Sequence, residues 1–151
     1  MAVVQDTYNN APAAGFAGMV ANGETSNRIS RTIEDAAGIA FGKAAFRGAG
    51  DHGVTGTPGA GFLGIVIADH GLPLLPGGTA DTFPQYASVP LITEGVVMVS
   101  ASLAVADGDP VYVTPGKAFT NVSNSGANTA LTGWVYDGTL GAAGLVNIAR
   151  R

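Results

Sequence analysis

Cysteine is absent from the 151 residues, and charged side chains are scarce. Without thiols the chain has no disulfide framework, no thiolate zinc site and no cysteine nucleophile. Only 12% of its residues are Asp, Glu, Lys or Arg, against roughly 25% in an average soluble domain. Because a monomer normally covers its surface with charge, this shortage favours a surface that is largely covered by other subunits. A glycine-rich β protein with short, neutral side chains outside is the alternative.

Positive charge is especially limited, since the chain has seven Lys and Arg residues and a formal net charge of −4. Binding to nucleic-acid phosphates needs clustered cations, and no basic stripe is present, so we expect no direct nucleic-acid partner. No apolar run reaches the ~18 residues that a membrane span requires. The first ten residues also lack the basic and apolar regions of a signal peptide, and we expect no membrane partner.

Glycine is abundant, with 23 residues, and hydrophobic residues reach 46%. Residues 1–27 mix Ala, Gly, Asn and Pro without helical or strand periodicity, and they carry the isolated apolar side chains of Tyr8, Phe16 and Met19. We predict that they form an extended N-terminal arm, ordered by the surface on which it lies. A disordered tail is the alternative. Residues 28–151 are predicted to form the core domain.

The core domain has short apolar or alternating runs separated by turn residues, and no convincing amphipathic helix. About eight strands at this spacing predict an all-β fold, either a jelly-roll-like sandwich or a small β-barrel. Residues 48–61 are glycine-rich and predicted to be a loop, whereas "VPLITEGVVMVSAS", residues 89–102, is predicted to hold two short strands hinged at Glu94-Gly95. The predicted strand segments are "RISRTIE", "GIAFGKAAFRG" with a bulge, "FLGIVIADH", "DPVYVTPGKAFTNVS" as a hairpin turning at residues 114–117, and "TGWVYDGTLGAAGLVNIAR" with a turn at Asp137-Gly138.

Two Asp-His pairs, Asp51-His52 and Asp69-His70, are the strongest candidates for metal binding or acid–base chemistry. Both pairs lie at glycine-flanked turns, where Asp accepts local backbone hydrogen bonds and His is tolerated. Their spacing matches no ligand pattern with a stated geometry. We therefore expect no catalytic residues, no cofactor and no metal, and an enzyme that uses the two pairs is a remaining alternative.

A second pair of carboxylates, Asp107 and Asp109, flanks a glycine in "AVADGDPVYV". A calcium loop would need further oxygen ligands downstream, and the next acidic residue is Asp137. Turn chemistry accounts for the motif, because Asp suits turn positions, Gly108 permits positive φ, and Pro110 sets the entry into the following strand. The motif thus predicts a turn.

The order of these segments carries a family resemblance. "AGMVANGETSNRISRTIED", "GIAFGKAAFRG", "FLGIVIAD", "EGVVMVSASLAVADGDPVYVTPGKAFTN" and "TGWVYDGTLGAAGLVNIA" together resemble the capsid cement (decoration) proteins of tailed bacteriophages. The resemblance covers nearly the whole chain. It depends on the order of strands and turns and on the arm before "RISR", because such turns are not specific singly.

The resemblance implies a non-enzymatic structural protein on the outer surface of an icosahedral capsid, where it bridges subunits of the major capsid protein. It also implies small homo-oligomers, for which we expect a trimer first and a dimer second. We expect Tyr8, Phe16 and Met19 to act as apolar anchors of the arm, and Arg28 and Arg31 to contact acidic capsid groups. A carbohydrate-binding jelly roll of a host-recognition structure is the alternative, although Trp134 lies in a strand-like run where core packing is expected.

Overall fold

The computed structural model describes residues 15–59 and 61–151, and the regular structure in these ranges is almost entirely β. Its one helical element is a short 3-10 turn, Asn124–Gly126. The strands are β1 (Asn27–Ile33), β2 (Ile39–Ala40), β3 (Ala44–Arg47), β4 (Gly53–Thr55), β5 (Phe62–Val66), β6 (Thr82–Phe83), β7 (Ser88–Ala101), β8 (Pro110–Val113), β9 (Phe119–Thr120), β10 (Thr129–Tyr136) and β11 (Gly144–Arg150). The predicted all-β class is confirmed.

The main sheet closes on itself twice, and strand β7 takes part in both closures. Its hydrogen-bonded order is β1-β4-β3-β5-β7-β11-β10-β8-β9, with further pairings between β1 and β7 and between β7 and β9. Strands β1, β4, β3, β5 and β7 therefore form one closed ring, and β7, β11, β10, β8 and β9 form the other. Of the two predicted architectures, a jelly-roll-like sandwich and a small β-barrel, the chain adopts the small barrel.

Two apolar clusters follow from this shared strand. One contains Ile33, Val66 and Leu91 and fills the first ring together with side chains of β2 and β6. The other contains Ile65 and Ile92 as well as the buried residues of β8, β10 and β11. Because successive side chains of a strand point to opposite faces, β5 and β7 supply both clusters.

Strand β7 was predicted as two strands, and the structure shows one strand of 14 residues that bends at Gly95. The residues before the bend pair with β1 and β5, and those after it pair with β11. Gly95 has φ of 122°, and a Cβ there would lie 2.9 Å from Ser26 Cβ. The predicted hinge is therefore a glycine bend inside a continuous strand, which passes from one ring to the other.

The predicted loop over residues 48–61 contains β4, so this part of the prediction was wrong. Strand β4 has three residues, too few for an alternating pattern to show among glycines. The carboxylate of Glu34 fixes the preceding turn, accepting hydrogen bonds from Ala49 N at 2.7 Å and Gly50 N at 2.8 Å.

Residues 18–21, at the end of the predicted arm, lie against β7 of the same chain. Gly18 N donates to Met98 O at 2.8 Å, Met98 N donates to Met19 O at 2.9 Å, and Ala21 N donates to Val96 O at 3.1 Å. Val97 pairs with Val20 on one edge and with β11 on the other. This segment thus covers the edge of β7 that β11 leaves open.

The lack of a side chain at Gly18 lets the 18–21 segment pack directly against backbone atoms of residues 42, 66 and 68. A substitution at Gly18 therefore tests this packing. Gly18 has φ of +85°, and a Cβ there would lie 2.8 Å from Ala68 N and from Gly42 N. Because both neighbours are backbone atoms in the barrel, we expect Gly18→Ala to lower the free energy of unfolding by about 2–3 kcal/mol. This corresponds to roughly 5–10 °C in the thermal midpoint. Gly23→Ala is the matched control, since a Cβ there meets nothing within 4 Å; equal midpoints of the two variants would contradict the prediction.

Candidate functional site

The predicted arm anchors have different surroundings. Tyr8 lies outside the described residues. Phe16 is 41% exposed, and its ring stands edge-on to His70 with the ring centroids 4.4 Å apart. Met19 is half-buried, and its carbonyl accepts the hydrogen bond from Met98 N. Of the two described anchors, Phe16 is therefore the more accessible to another molecule.

A network of ion pairs holds Glu24, which lies between Met19 and the start of β1. The Arg151 guanidinium lies 2.9 Å from Glu24 Oε1 and 3.2 Å from Asp137 Oδ2. Hydrogen bonding to Arg151 is the main cause that holds the pKa of Glu24 below its usual range. The same two carboxylates raise the pKa of Arg151. The chain between the predicted arm and β1 is thus tied to the end of β11.

The two predicted basic contacts, Arg28 and Arg31, do not lie together. They are three residues apart in the regular part of β1, so their side chains point to opposite faces. Arg28 is exposed and its Nε donates to Ser26 Oγ at 3.2 Å. Arg31 is half-buried and lines a small cleft with Arg47 of β3. Sequence reasoning missed Arg47, because β4 lies between β1 and β3 in the sheet.

The connection from β5 to β6, residues 67–81, carries the two large aliphatic side chains with the highest exposed fraction among the described residues. Leu74 is 64% exposed and Leu75 is 55% exposed. Both line a surface cleft of about 490 Å³ together with His70 and Phe41. His70 lies between the rings of Phe16 and Phe41, at centroid distances of 4.4 and 5.7 Å. The end of the predicted arm and this loop therefore form one continuous surface, here termed the apolar rim (Phe16, His70, Leu74 and Leu75).

Tyr86 is a further exposed aromatic side chain near the first ring, outside the apolar rim. It is 77% exposed, and its φ of 65° is unusual for a bulky residue. Tyr86 N donates to Ile33 O at 2.9 Å, and Gln85 Nε2 donates to Glu34 O at 2.9 Å. These bonds hold the turn before β7 in a conformation that presents the phenol ring to solvent.

The predicted Asp-His pairs lie in turns. His52 precedes β4, and its carbonyl accepts a hydrogen bond from Thr32 N at 3.0 Å. Asp69 Oδ1 accepts from Gly71 N at 2.9 Å, as expected of a turn aspartate. Among residues 15–59 and 61–151, no group of three or more His, Asp or Glu side chains is arranged to hold a metal ion.

The only tryptophan, Trp134, is 2% exposed and belongs to the core cluster of the second ring, as predicted. Tyr136, two residues further along β10, is also buried, and this burial is the main cause that raises its pKa. A glycan-binding face built on an exposed tryptophan is therefore not available on this chain. None of the described residues forms a helix that is long and apolar enough to cross a membrane.

The "ADGDP" motif is a turn, as predicted. Gly108 has φ of 86°, and Asp109 N donates to Ala106 O at 3.1 Å. Asp109 Oδ2 accepts hydrogen bonds from Ala106 N at 2.9 Å and from Asn121 Nδ2 at 2.6 Å. These bonds, the backbone one first, lower the pKa of Asp109. The carboxylate acts as a structural acceptor that ties the turn to the end of β9.

The two aspartates of this turn allow a matched test of pH dependence. We expect Asp109→Asn to destabilise the fold at pH 7, because a neutral amide oxygen accepts these two hydrogen bonds more weakly than a charged carboxylate oxygen does. Since the folded pKa of Asp109 is lowered, its stabilising effect is present above the ordinary aspartate pKa and is lost as pH falls through the lowered value. The gap in thermal midpoint between variant and parent should therefore narrow on acidification. Asp107→Asn is the control; an equal loss in that variant, or a gap independent of pH, would contradict this role.

Comparison with known proteins identifies a family and a fold. The sequence model of the family described as "Structural cement protein (E217 gp24/Pam3 gp6)" matches residues 4–151. A solved structure described as "The capsid of Myoviridae Phage XM1" superposes with a TM-score of 0.70 at 17% identity, and the match covers 98% of this chain and 97% of that chain. At this identity the structural likeness shows the fold alone. No curated protein matches this chain in sequence.

Proposed function

The chain belongs to the structural cement protein family, and on this premise we propose that it binds the outer surface of a phage icosahedral capsid. There it bridges neighbouring subunits of the major capsid protein and stabilises the shell, without an enzymatic activity of its own. The family match over residues 4–151 is the observation that carries the proposal. Its place is the virion capsid, in keeping with the capsid structure that shares its fold.

The apolar rim is the surface that we assign to contact with a capsid subunit. Leu74 and Leu75 are more than half exposed, and they lie in a loop between Pro73 and Pro76. Proline restricts the backbone, so less conformational entropy is lost when such a loop is ordered against a partner. Burial of large apolar side chains at the centre of an interface supplies most of its binding free energy. Tyr86, held in its turn by two hydrogen bonds, is a further anchor of this kind.

Residues 1–14 extend this surface in our proposal. The described chain begins beside the rim, because Phe16 contacts His70. We assign Tyr8 to a contact with a neighbouring subunit, together with backbone pairing to an open strand edge there. Each contact is weak alone, but a shell displays many copies, and several weak contacts held together raise the effective affinity.

We also propose that the protein forms a homo-oligomer, with a trimer as the first expectation and a dimer as the second. The shortage of charge, at 12% of residues, supports coverage of its surface by other subunits. Native mass spectrometry of the purified protein should give about three times the chain mass of 15.0 kDa. A mass equal to one chain at micromolar concentration would contradict the homo-oligomer.

The rim is tested by a double substitution, Leu74→Ser with Leu75→Ser. Each leucine contributes about 1.5–3 kcal/mol when fully buried, so we expect the double variant to bind emptied capsid shells at least tenfold more weakly in co-sedimentation. The control is Leu103→Ser with Val122→Ser, since those side chains are also exposed, at 51% and 47%, but flank the second ring. If the two double variants bind shells with equal affinity, the apolar rim is not part of the interface.

The arm is tested by deletion of residues 2–14, which leaves residues 15–151 intact. A longer deletion would also remove the hydrogen bonds of Gly18 and Met19 to β7, so loss of binding could then reflect loss of folding. We expect the shorter deletion to weaken shell binding while the thermal midpoint stays within about 2 °C of the parent, a change of less than ~1 kcal/mol. Full binding after the deletion would contradict the role of the arm.

A further inference from the structure

A second cleft, separate from the apolar rim, lies at the ends of β1 and β3. Its volume is about 240 Å³, and its lining consists of Arg31, Arg47, Leu63, Asp51 and the small residues Gly48, Ala49, Gly50 and Gly53. Arg31 lies on β1 and Arg47 on β3, and both flank β4 in the sheet. The fold thus brings two arginines from separate strands to one small cleft.

Neither arginine forms an ion pair with the described residues. The ion pairs in that part of the chain are Lys117 with Asp35 at 3.7 Å, and Arg151 with Glu24 and with Asp137. Arg31 and Arg47 thus share a cleft in which no carboxylate of the described residues lies within 4.0 Å of either guanidinium group.

Two acidic residues lie at the cleft, and neither forms an ion pair with the arginines. The Glu34 carboxylate is held by the amide groups of Ala49 and Gly50, at 2.7 and 2.8 Å. Asp51 is exposed and lines the cleft, but it forms no ion pair with either arginine. Both arginines therefore keep guanidinium donors that no carboxylate of the described residues accepts.

Both side chains are partly positioned in advance. Arg31 is half-buried, and its Nη1 donates to Ser30 O at 2.8 Å. The aliphatic part of Arg47 lies against Gly61, where an added Cβ would come within 2.9 Å of Arg47 Cδ. Arg47 N also donates to Gly61 O at 2.9 Å. A guanidinium that is held in place loses less side-chain entropy when it binds a carboxylate.

We infer that Arg31 and Arg47 together bind a carboxylate side chain of a neighbouring capsid protein subunit. Planar guanidinium groups pair with carboxylates through two parallel hydrogen bonds, and a concave site shields these bonds from water. Nucleic acid is a poor candidate, because two cations on an acidic protein supply little of the charge neutralisation that its phosphates require. The inference rests on the proposed function in that a neighbouring subunit of the shell supplies the acid.

The direct test uses glutarate as the probe and nuclear magnetic resonance of the arginine Nε–H groups of the isolated protein. We expect the signals of Arg31 and Arg47 to shift and saturate at millimolar glutarate, whereas that of Arg150 changes little. Arg150 is exposed and forms no ion pair with the described residues, so it is the matched control. Equal, unsaturated changes at all three arginines would overturn the inference, whether or not the protein binds capsids.

The second test compares the double variant Arg31→Gln, Arg47→Gln with Arg150→Gln in binding to emptied shells at 50 and 500 mM salt. The double variant should bind roughly tenfold more weakly at low salt, and the difference from the parent should shrink at high salt. Equal binding of parent and double variant at low salt would overturn the inference. Failure of the parent to bind shells would instead refute the proposed function, and the glutarate titration would then decide the inference by itself.

The source of the carboxylate follows from native mass spectrometry of the same variants. A double variant that keeps the parent oligomer but loses shell affinity indicates a carboxylate of the capsid protein. A double variant that loses the oligomer, while Arg150→Gln keeps it, would indicate a carboxylate of a second copy of this chain and would overturn the inference that the capsid protein supplies it.

Discussion

Strand β7 is hydrogen-bonded along both edges, and every larger feature of the fold depends on its bend at Gly95. Before the bend its partners are β1 and β5, and after it they are β11 on one edge and the 18–21 segment with β9 on the other. The φ of 122° at Gly95 lies in a region that other residues rarely adopt. One strand thereby closes two rings, so neither ring can close without the shared strand.

This arrangement also decides where the surface for partners lies. Residues 18–21 are held on β7, and the chain before them reaches the loop after β5 through the contact of Phe16 with His70. The position of the proposed capsid contact is thus a consequence of how β7 is covered.

The few charged groups of the chain are used in two distinct ways. Glu34 and Asp109 accept backbone hydrogen bonds and fix turns, and Arg151 links Glu24 with Asp137. The cleft of Arg31 and Arg47 lacks such internal partners among the described residues. A cement protein in the family sense must hold its own shape and attach to others, and this division of charge suits both requirements. The apolar rim, proposed for hydrophobic contacts, and the cleft, proposed for an ionic contact, are lined by different residues.

The sequence by itself determined the all-β class, the strand at β1, the hairpin of β8 and β9, and the turn at Asp107–Asp109, because alternation and turn chemistry act between residues a few positions apart. The order of these elements was also enough to indicate the family. Only the tertiary structure decided that β7 is one strand, that β4 interrupts a glycine-rich segment, and that Arg47 joins Arg31 at one cleft. Those features come from pairing between distant strands, such as β1 with β7, and the energy of such pairing depends on side chains that are brought together only by the closed barrel.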